Sequence, residues 1–214
     1  MAGYHDTRFV FDRKREVLWK TLYDAYFCKL ISRDDCVLEL GAGYGHFINQ
    51  VRCRRRIAVD QWDGFIKYVD SGVEAKVGRA DDLSFLDDSS VDFVFASNLF
   101  EHLTQSEFAT VLDQLRRKLR LNGTLSILQP NYRVAYREYF DDYTHVAIYS
   151  DVSMCDFLAA HGFRVIECNP RFLPLTIKSR LPVSPWLIRL YLALPGRPLA
   201  KQMLIRAVVE DGAA

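Results

Sequence analysis

The sequence predicts an α/β fold, a mostly parallel sheet with helices on both faces in three αβα layers, and three stretches carry that prediction. Val37-Leu38-Glu39-Leu40 is an apolar strand that runs straight into Gly41-Ala42-Gly43-Tyr44-Gly45, with glycines at alternate positions. The apolar-periodic residues Phe47, Ile48 and Val51 follow, so the unit reads as strand, tight loop, helix. Ile57-Ala58-Val59 is a second apolar strand, and it ends in Asp60. Val91-Asp92-Phe93-Val94-Phe95-Ala96 is the near-continuous apolar run expected of a strand covered on both faces of a parallel sheet. Glycine suits the loop because it accepts positive φ and lets a ligand approach the backbone without meeting a Cβ. At the open end of a parallel sheet, such a loop and the following helix N-terminus form a floor for a nucleotide-like ligand.

At 214 residues, half of them hydrophobic, the chain can bury one substantial core, and a single domain spanning 1–214 is the expectation. The net charge of +1 gives no global case for a nucleic-acid partner. Cys28, Cys36, Cys53, Cys155 and Cys168 are scattered, odd in number and form no C-x-x-C pair. They read as reduced packing thiols in a cytoplasmic protein. No set of metal ligands is read from the sequence. Met1 to Asp12 lacks an apolar h-region, which argues against a secretory signal, and no apolar run approaches the ~20 residues that span a bilayer.

In chain order, residues 1–31 form a helical extension, with Asp12 as N-cap of a helix to about Leu30 and an apolar stripe of Val17, Leu18, Leu22, Ala25 and Tyr26. Asp63 to Ser71 reads as a short helix and Glu74 to Gly78 as a third strand. Beyond the 91–96 strand, Thr104-Gln105-Ser106-Glu107 fits a capping box. The helix it opens carries Phe108, Val111, Leu112, Leu115 and Leu119 on one face and ends with Arg116, Arg117 and Lys118, read as solvated helix-end charges. Leu121-Asn122-Gly123 breaks that helix before a strand from Thr124 to Pro130. A helix from Ser150 to Gly162, a strand toward Cys168 and a last strand from Met203 to Val209 complete the reading.

The glycines spaced as G-x-G-x-G, Glu39 two residues before them and Asp60 at the next strand end resemble motif I and the next acidic position of class I S-adenosylmethionine-dependent methyltransferases. The helix, Asn-Gly break and strand that follow Thr104 strengthen the resemblance, which covers about Cys36 to Pro130. It implies a Rossmann-like sheet of seven strands with the last antiparallel, and S-adenosyl-L-methionine as cofactor. By that resemblance the cofactor-binding positions are Glu39, Gly41, Ala42, Gly43, Tyr44, Gly45, Asp60, Gln61, Ala80, Asp81, Asp82, Ser97 and Asn98. Asp60 is the expected acceptor of the ribose hydroxyls, while Glu39 either meets the cofactor or holds the glycine loop. The segment Arg79-Ala80-Asp81-Asp82-Leu83-Ser84-Phe85 resembles the adenine-contacting loop, with Arg79 where the family places an aspartate.

Between the 124–130 strand and the next helix lies the stretch where the family binds its acceptor. Here Tyr132, Tyr139, Phe140, Asp141, Asp142, Tyr143 and His145 stand close together. His145 is the first candidate for a base, because the ordinary histidine pKa lies near neutrality; His102 is the second, and Asp141 and Asp142 can orient the base or bind acceptor hydroxyls. A purely structural role in pinning the loop is equally open for His145. The 91–96 strand exit lacks the Asn/Asp-Pro-Pro-aromatic signature associated with nucleic-acid amine methylation, so the implied acceptor is a small molecule, a sugar or a lipid-linked glycan. An amine or protein side chain, and a domain that binds cofactor without turnover, are the alternatives.

The 169–202 segment reads as an insertion before the last strand. From Asn169 to Val209 there is no acidic residue, yet Arg171, Lys178, Arg180, Arg189, Arg197, Lys201 and Arg206 occur, with six of the seven prolines. Ser184 and Pro185 open a short helix, Trp186 to Leu194, that is apolar nearly all round except at Arg189. It is too short to span a membrane. A lid, a dimer contact, or a peripheral membrane surface with arginines toward anionic headgroups all remain open.

Overall fold

A computed structural model describes residues 11–175 and 184–210. Lys178 and Arg180 of the basic tail, and the first ten residues of the N-terminal extension, lie outside the described residues. The sheet has seven strands: β1 (Cys36–Leu40), β2 (Arg55–Asp60), β3 (Val73–Val77), β4 (Val91–Ser97), β5 (Leu119–Pro130), β6 (Phe163–Pro174) and β7 (Ala200–Val209). Their order is β3-β2-β1-β4-β5-β7-β6. The first five run parallel, and β7 inserts antiparallel to both β5 and β6. The strand order reverses between β1 and β4, the kind of switch point at whose carboxyl edge open α/β sheets bind their ligands.

Every residue of β1 is buried, which only an apolar strand with both faces covered tolerates. One face packs Leu38, Leu40, Val59, Val94 and Ile127 under α2 (Gln105–Lys118) and α4 (Asp151–Ala160). The other packs Val37, Ala58, Phe93, Phe95 and Leu204 under α1 (Arg13–Ala25), with α5 (Pro185–Ala193) beside it. A four-residue helix, α3 (Tyr132–Ala135), follows β5. Asp12 caps α1 by accepting from the Lys14 N–H at 2.9 Å. α1 stops at Ala25 and gives way to a 3₁₀ turn at Phe27–Lys29, so the helix is shorter than the stripe suggested.

The helix expected after the glycine loop does not form; residues 43–50 are a run of turns. In a helix the Ile48 N–H would donate to the carbonyl of Tyr44, but it donates instead to the Glu39 carboxylate at 3.0 Å. Phe47 is drawn under α1 into a cluster with Phe95, Phe27 and Trp19, at ring separations of 4.1, 5.3 and 5.9 Å. A segment of eight residues cannot outweigh those tertiary demands, because helix nucleation is itself unfavourable. Similarly, Asp63–Lys67 is a 3₁₀ helix.

α2 starts where the capping box placed it. Thr104 accepts from the Glu107 N–H at 3.2 Å, and the Glu107 carboxylate accepts from the Thr104 N–H at 2.9 Å. The helix ends at Lys118, earlier than the Asn-Gly pair, because the Ser89 and Ser90 N–H groups donate to the carbonyls of Arg117 and Lys118. Lys118 is not a solvated end charge: it is buried and donates to the Leu86 carbonyl and to Asp88, both at 2.7 Å. β5 begins at once, and Asn122, at φ 63°, turns the irregularity between the Leu119 and Thr124 pairings. The five cysteines are free, with Cys36 buried and Cys28 and Cys168 exposed.

Losing one N-cap typically costs about 1 kcal/mol, equivalent to roughly 2–4 °C of melting temperature in a chain of this size. Thr104→Ala is expected to lower the melting point by that amount in a thermal melt. No shift would mean that the start of α2 is held by its packing alone.

Candidate active site at the carboxyl edge of β1 and β4

Gly41, Gly43 and Gly45 all have positive φ, at 68°, 53° and 65°. At Gly41 a Cβ would lie 3.1 Å from Leu99 Cδ1, so the loop after β1 presses directly against the exit of β4. At Gly45 it would meet Val69 Cγ1 at 2.8 Å. A side chain at either position is excluded by both space and backbone conformation.

Two carboxylates hold this floor. Asp60 accepts from the Gly43 N–H at 2.7 Å through one oxygen and from the Trp62 N–H at 2.8 Å through the other. Each oxygen keeps a second lone-pair site. Glu39 is buried and accepts from the Ile48 N–H as described. Tyr44 is buried in an aromatic group, with Tyr68, Trp62 and Phe11 at 4.7, 5.1 and 5.5 Å. Gln61, next to Asp60, is exposed. On the far wall, Asn98 is held at φ 50°, donates its side-chain N–H to Ser97 Oγ at 3.1 Å and donates its backbone N–H to Leu128.

The 79–85 loop is arranged around Arg79. Its guanidinium donates to both oxygens of Asp81, at 2.8 and 2.7 Å, and to Glu107 at 2.8 Å. That pairing, with the Thr104 bonds, holds the Glu107 carboxyl down at about 2. The aspartate position of the family loop is thus filled by a cation that recruits Asp81 and ties the loop to α2. Ala80 is buried, and Asp82 accepts from the Ser84 N–H at 3.2 Å, capping the turn.

The acceptor-side candidates come together. Residues 100–102 form a 3₁₀ turn after β4, and its Glu101 carbonyl accepts the N–H groups of Val146 and Ala147, at 2.9 and 3.2 Å. Those bonds dock the β5–α4 connection onto β4 and bring His145 to His102, ring centroids 4.8 Å apart. Tyr139 packs on His145 at 4.8 Å and donates its hydroxyl to the Ala147 carbonyl. Asp142 Oδ1 accepts from the Thr144 N–H at 3.1 Å and from its hydroxyl at 2.6 Å. Thr144 in turn meets His102 Nδ1 through its hydroxyl oxygen at 3.0 Å and its carbonyl at 3.2 Å. Asp142 therefore acts on His102 through Thr144, while Asp141 is exposed. Burial, with the neighbouring His145, lowers the His102 pKa.

Glu101 is the functional candidate that sequence reasoning left without a role. It has no exposed surface, and His145 Nε2 lies 4.0 Å from its Oε1. Burial pushes its carboxyl up to about 8. The signal available in the sequence was a carboxylate beside a histidine in the otherwise apolar run that leaves β4. Glu101, His102 and His145 are also the described residues able to hold a metal ion, each offering a ligand atom within 4.8 Å of the others. A second buried polar side chain, Gln129 near the end of β5, was likewise not anticipated.

Residues 38–127 match a family model described as a methyltransferase domain. No curated protein matches the sequence. Among solved structures, the chain is similar to a SAM-dependent methyltransferase from Archaeoglobus fulgidus, at 22% identity over 90% of this chain and 93% of that one, with a TM-score of 0.68. It is similar to a chain of the complex between the Haloferax volcanii Trm112 methyltransferase activator and a methyltransferase, at 19% identity over 91% and 90%, TM-score 0.68. A third, at 16% identity over 86% and 76% with a TM-score of 0.60, is the geranyl diphosphate C-methyltransferase of Streptomyces coelicolor A3(2), solved with Mg2+, geranyl diphosphate and S-adenosyl-L-homocysteine. The strand order gives this chain the same fold as these methyltransferases. The match to that model covers 38–127, and S-adenosylmethionine is the cofactor to which it and the similar structures point.

Burial holds the Glu39 carboxyl well above its ordinary value of 4.5; the Ile48 N–H pulls it down and the charge of Asp60 pushes it up. A carboxyl raised on folding contributes stability that is complete below its unfolded pKa and is lost as pH rises through the folded one. Glutamine accepts the same bond without titrating. In thermal melts between about pH 5 and 8, Glu39→Gln is expected to gain on the unsubstituted protein as pH rises. Parallel curves would refute the buried-charge account.

Proposed function

We propose that this chain is an S-adenosylmethionine-dependent methyltransferase that methylates a hydroxyl of a small molecule, a sugar or a lipid-linked glycan. One observation carries the reading: the glycine floor at Gly41 abuts Leu99, two residues before Glu101 of the Glu101, His102 and His145 cluster. Donor and acceptor sites are thereby neighbours on one edge.

Asp60 and Gln61 serve the ribose, the 79–82 loop the adenine, and Ser97 and Asn98 the far wall, with Gly41 to Gly45 admitting the ligand to the backbone. Bound S-adenosylmethionine supplies a methyl group made electrophilic by the sulfonium charge. The protein's part is then alignment of the acceptor, which can supply much of the acceleration, and withdrawal of its proton, worth typically ~10²–10⁴-fold. His145 is the residue assigned to that proton. Asp142 fixes His102 beside it through Thr144.

Calorimetry with S-adenosylmethionine is expected to show binding that Asp60→Ala weakens at least about tenfold, a loss of ~1.4 kcal/mol. His145→Ala is expected to keep that affinity and lose turnover. Absence of heat with the unsubstituted protein would instead favour a methyltransferase-like domain without a cofactor. Turnover on amine acceptors in place of hydroxyl ones would favour the N-methylation alternative.

A peripheral membrane contact is proposed on a separate observation. α5 turns Ile188, Tyr191 and Leu192 toward the domain, while Trp186, Leu187, Leu190 and Leu194 are exposed, Trp186 by 68%. Leu199 beyond it is 80% exposed. Of the described basic residues here, Arg197 lies over Phe172, Lys201 pairs with Glu138 and Arg206 pairs with Glu167. Arg171 and Arg189 are exposed and available to headgroups. No helix among the described residues is long and apolar enough to cross a membrane. Co-sedimentation with anionic liposomes at low salt, reduced by the pair Trp186→Glu and Leu190→Glu, is the expected result. A protein that stays in the supernatant would dispose of the idea.

A further inference from the structure

We infer that Glu101, His102 and His145 form a binding site for one divalent first-row transition-metal ion, of the zinc, cobalt or manganese kind, beside the donor crevice. The first support is composition and spacing. Two imidazoles and one carboxylate are a donor set suited to such ions, and three protein ligands leave positions open for an acceptor oxygen or water. Ligand bonds of about 2.0–2.2 Å draw the ligand atoms closer together than the present 4.8 Å limit and the 4.0 Å between Glu101 and His145. Small side-chain rotations close that gap.

The second support is independent of spacing. Both carboxylate oxygens of Glu101 are buried and have no hydrogen-bond partner among the described residues. A carboxylate withdrawn from water without a partner is costly. Natural structures keep such groups where a proton or a cation neutralises them. The Glu101 carbonyl accepts from the Val146 and Ala147 N–H groups, so its position is set by the backbone and not by its side chain.

The third is the tautomer of His102. The Thr144 hydroxyl donates its hydrogen to Asp142, and the Thr144 carbonyl can only accept. The hydrogen between His102 Nδ1 and Thr144 therefore belongs to Nδ1, which leaves Nε2 with the lone pair that a cation needs. An imidazole ligand whose other nitrogen donates to a carbonyl, with a carboxylate behind it, is the usual outer shell of a metal-bound histidine. His102 is partly exposed and the His145 side chain is 9% exposed, which leaves the cluster an opening that Glu101 alone lacks.

This inference deepens the acceptor side of the reading above. With an ion bound, His145 would be a ligand in place of the base assigned above; the cation's charge would acidify the acceptor hydroxyl, whose proton would pass to solvent water. Loss of turnover in His145→Ala is then expected on either account, so the test reads metal binding directly. Chelator-treated full-length protein is titrated with Co2+ and followed by its visible d–d absorption, alongside calorimetry with Mn2+ and, as the hard-cation control, Mg2+. One equivalent of Co2+ is expected, with nitrogen and oxygen ligation and no thiolate charge-transfer band, and with Mn2+ binding much tighter than Mg2+. Glu101→Gln, nearly isosteric and checked for folding by circular dichroism, is expected to weaken Co2+ at least about 100-fold, as is His102→Ala. Absence of a stoichiometric d–d spectrum, a thiolate band reporting the cysteines, or a spectrum unchanged in both variants would overturn the inference. S-adenosylmethionine affinity measured on the same chelated sample separates this failure from failure of the methyltransferase reading.

Discussion

Two carboxylates at the ends of β1 and β2 take backbone N–H groups of the loops that follow them, and the geometry of the glycine loop depends on them. Glu39 holds Ile48, and Asp60 holds Gly43 and Trp62. With those groups committed, residues 43–50 cannot coil regularly, and the three glycines settle at positive φ against Leu99 and Val69. The outcome is a largely buried loop held by two carboxylates. Because β1 and β2 are adjacent and parallel, the two carboxylates reach the same edge by register alone: Leu40 pairs with Val59, one residue after Glu39 and one before Asp60.

The acceptor side uses the opposite device. There the backbone of Glu101 does the holding, through Val146 and Ala147, and its side chain is left buried without a hydrogen-bond partner. A protein interior tolerates such a group only at a cost, and unsatisfied polar atoms of this kind concentrate where a ligand is meant to complete the set. The histidines, the Thr144 relay and Asp142 surround that group, so the strained part of the structure and the chemically capable part coincide. Strand topology then fixes their relation to the donor floor, since β1 and β4 are neighbours.

The C-terminal segment shows how composition can mislead about exposure. Its run without acidic residues suggested a free basic surface. Yet Lys201 and Arg206 find Glu138 and Glu167 in other elements, and Arg197 lies over Phe172. What remains outward on α5 is chiefly apolar. Arg116, Arg117 and Lys118 make the same point in reverse, since the last of them is buried under Asp88.

Taken alone, the sequence determined the parts whose physics is local. The fully buried strands followed from apolar runs, the start of α2 from Thr104 and Glu107 three positions of chain apart, and the loop after β1 from alternate glycines. It also brought forward His102, His145 and Asp142, because imidazoles and carboxylates gathered near strand exits are chemically conspicuous. Only the tertiary structure decided that Phe47 and Ile48 lie in turns, that Asp81 answers to Arg79, and that Glu101 is an orphaned carboxylate between two histidines. Each of those facts depends on a partner far along the chain, and long-range pairing leaves no periodicity or spacing for a single sequence to display.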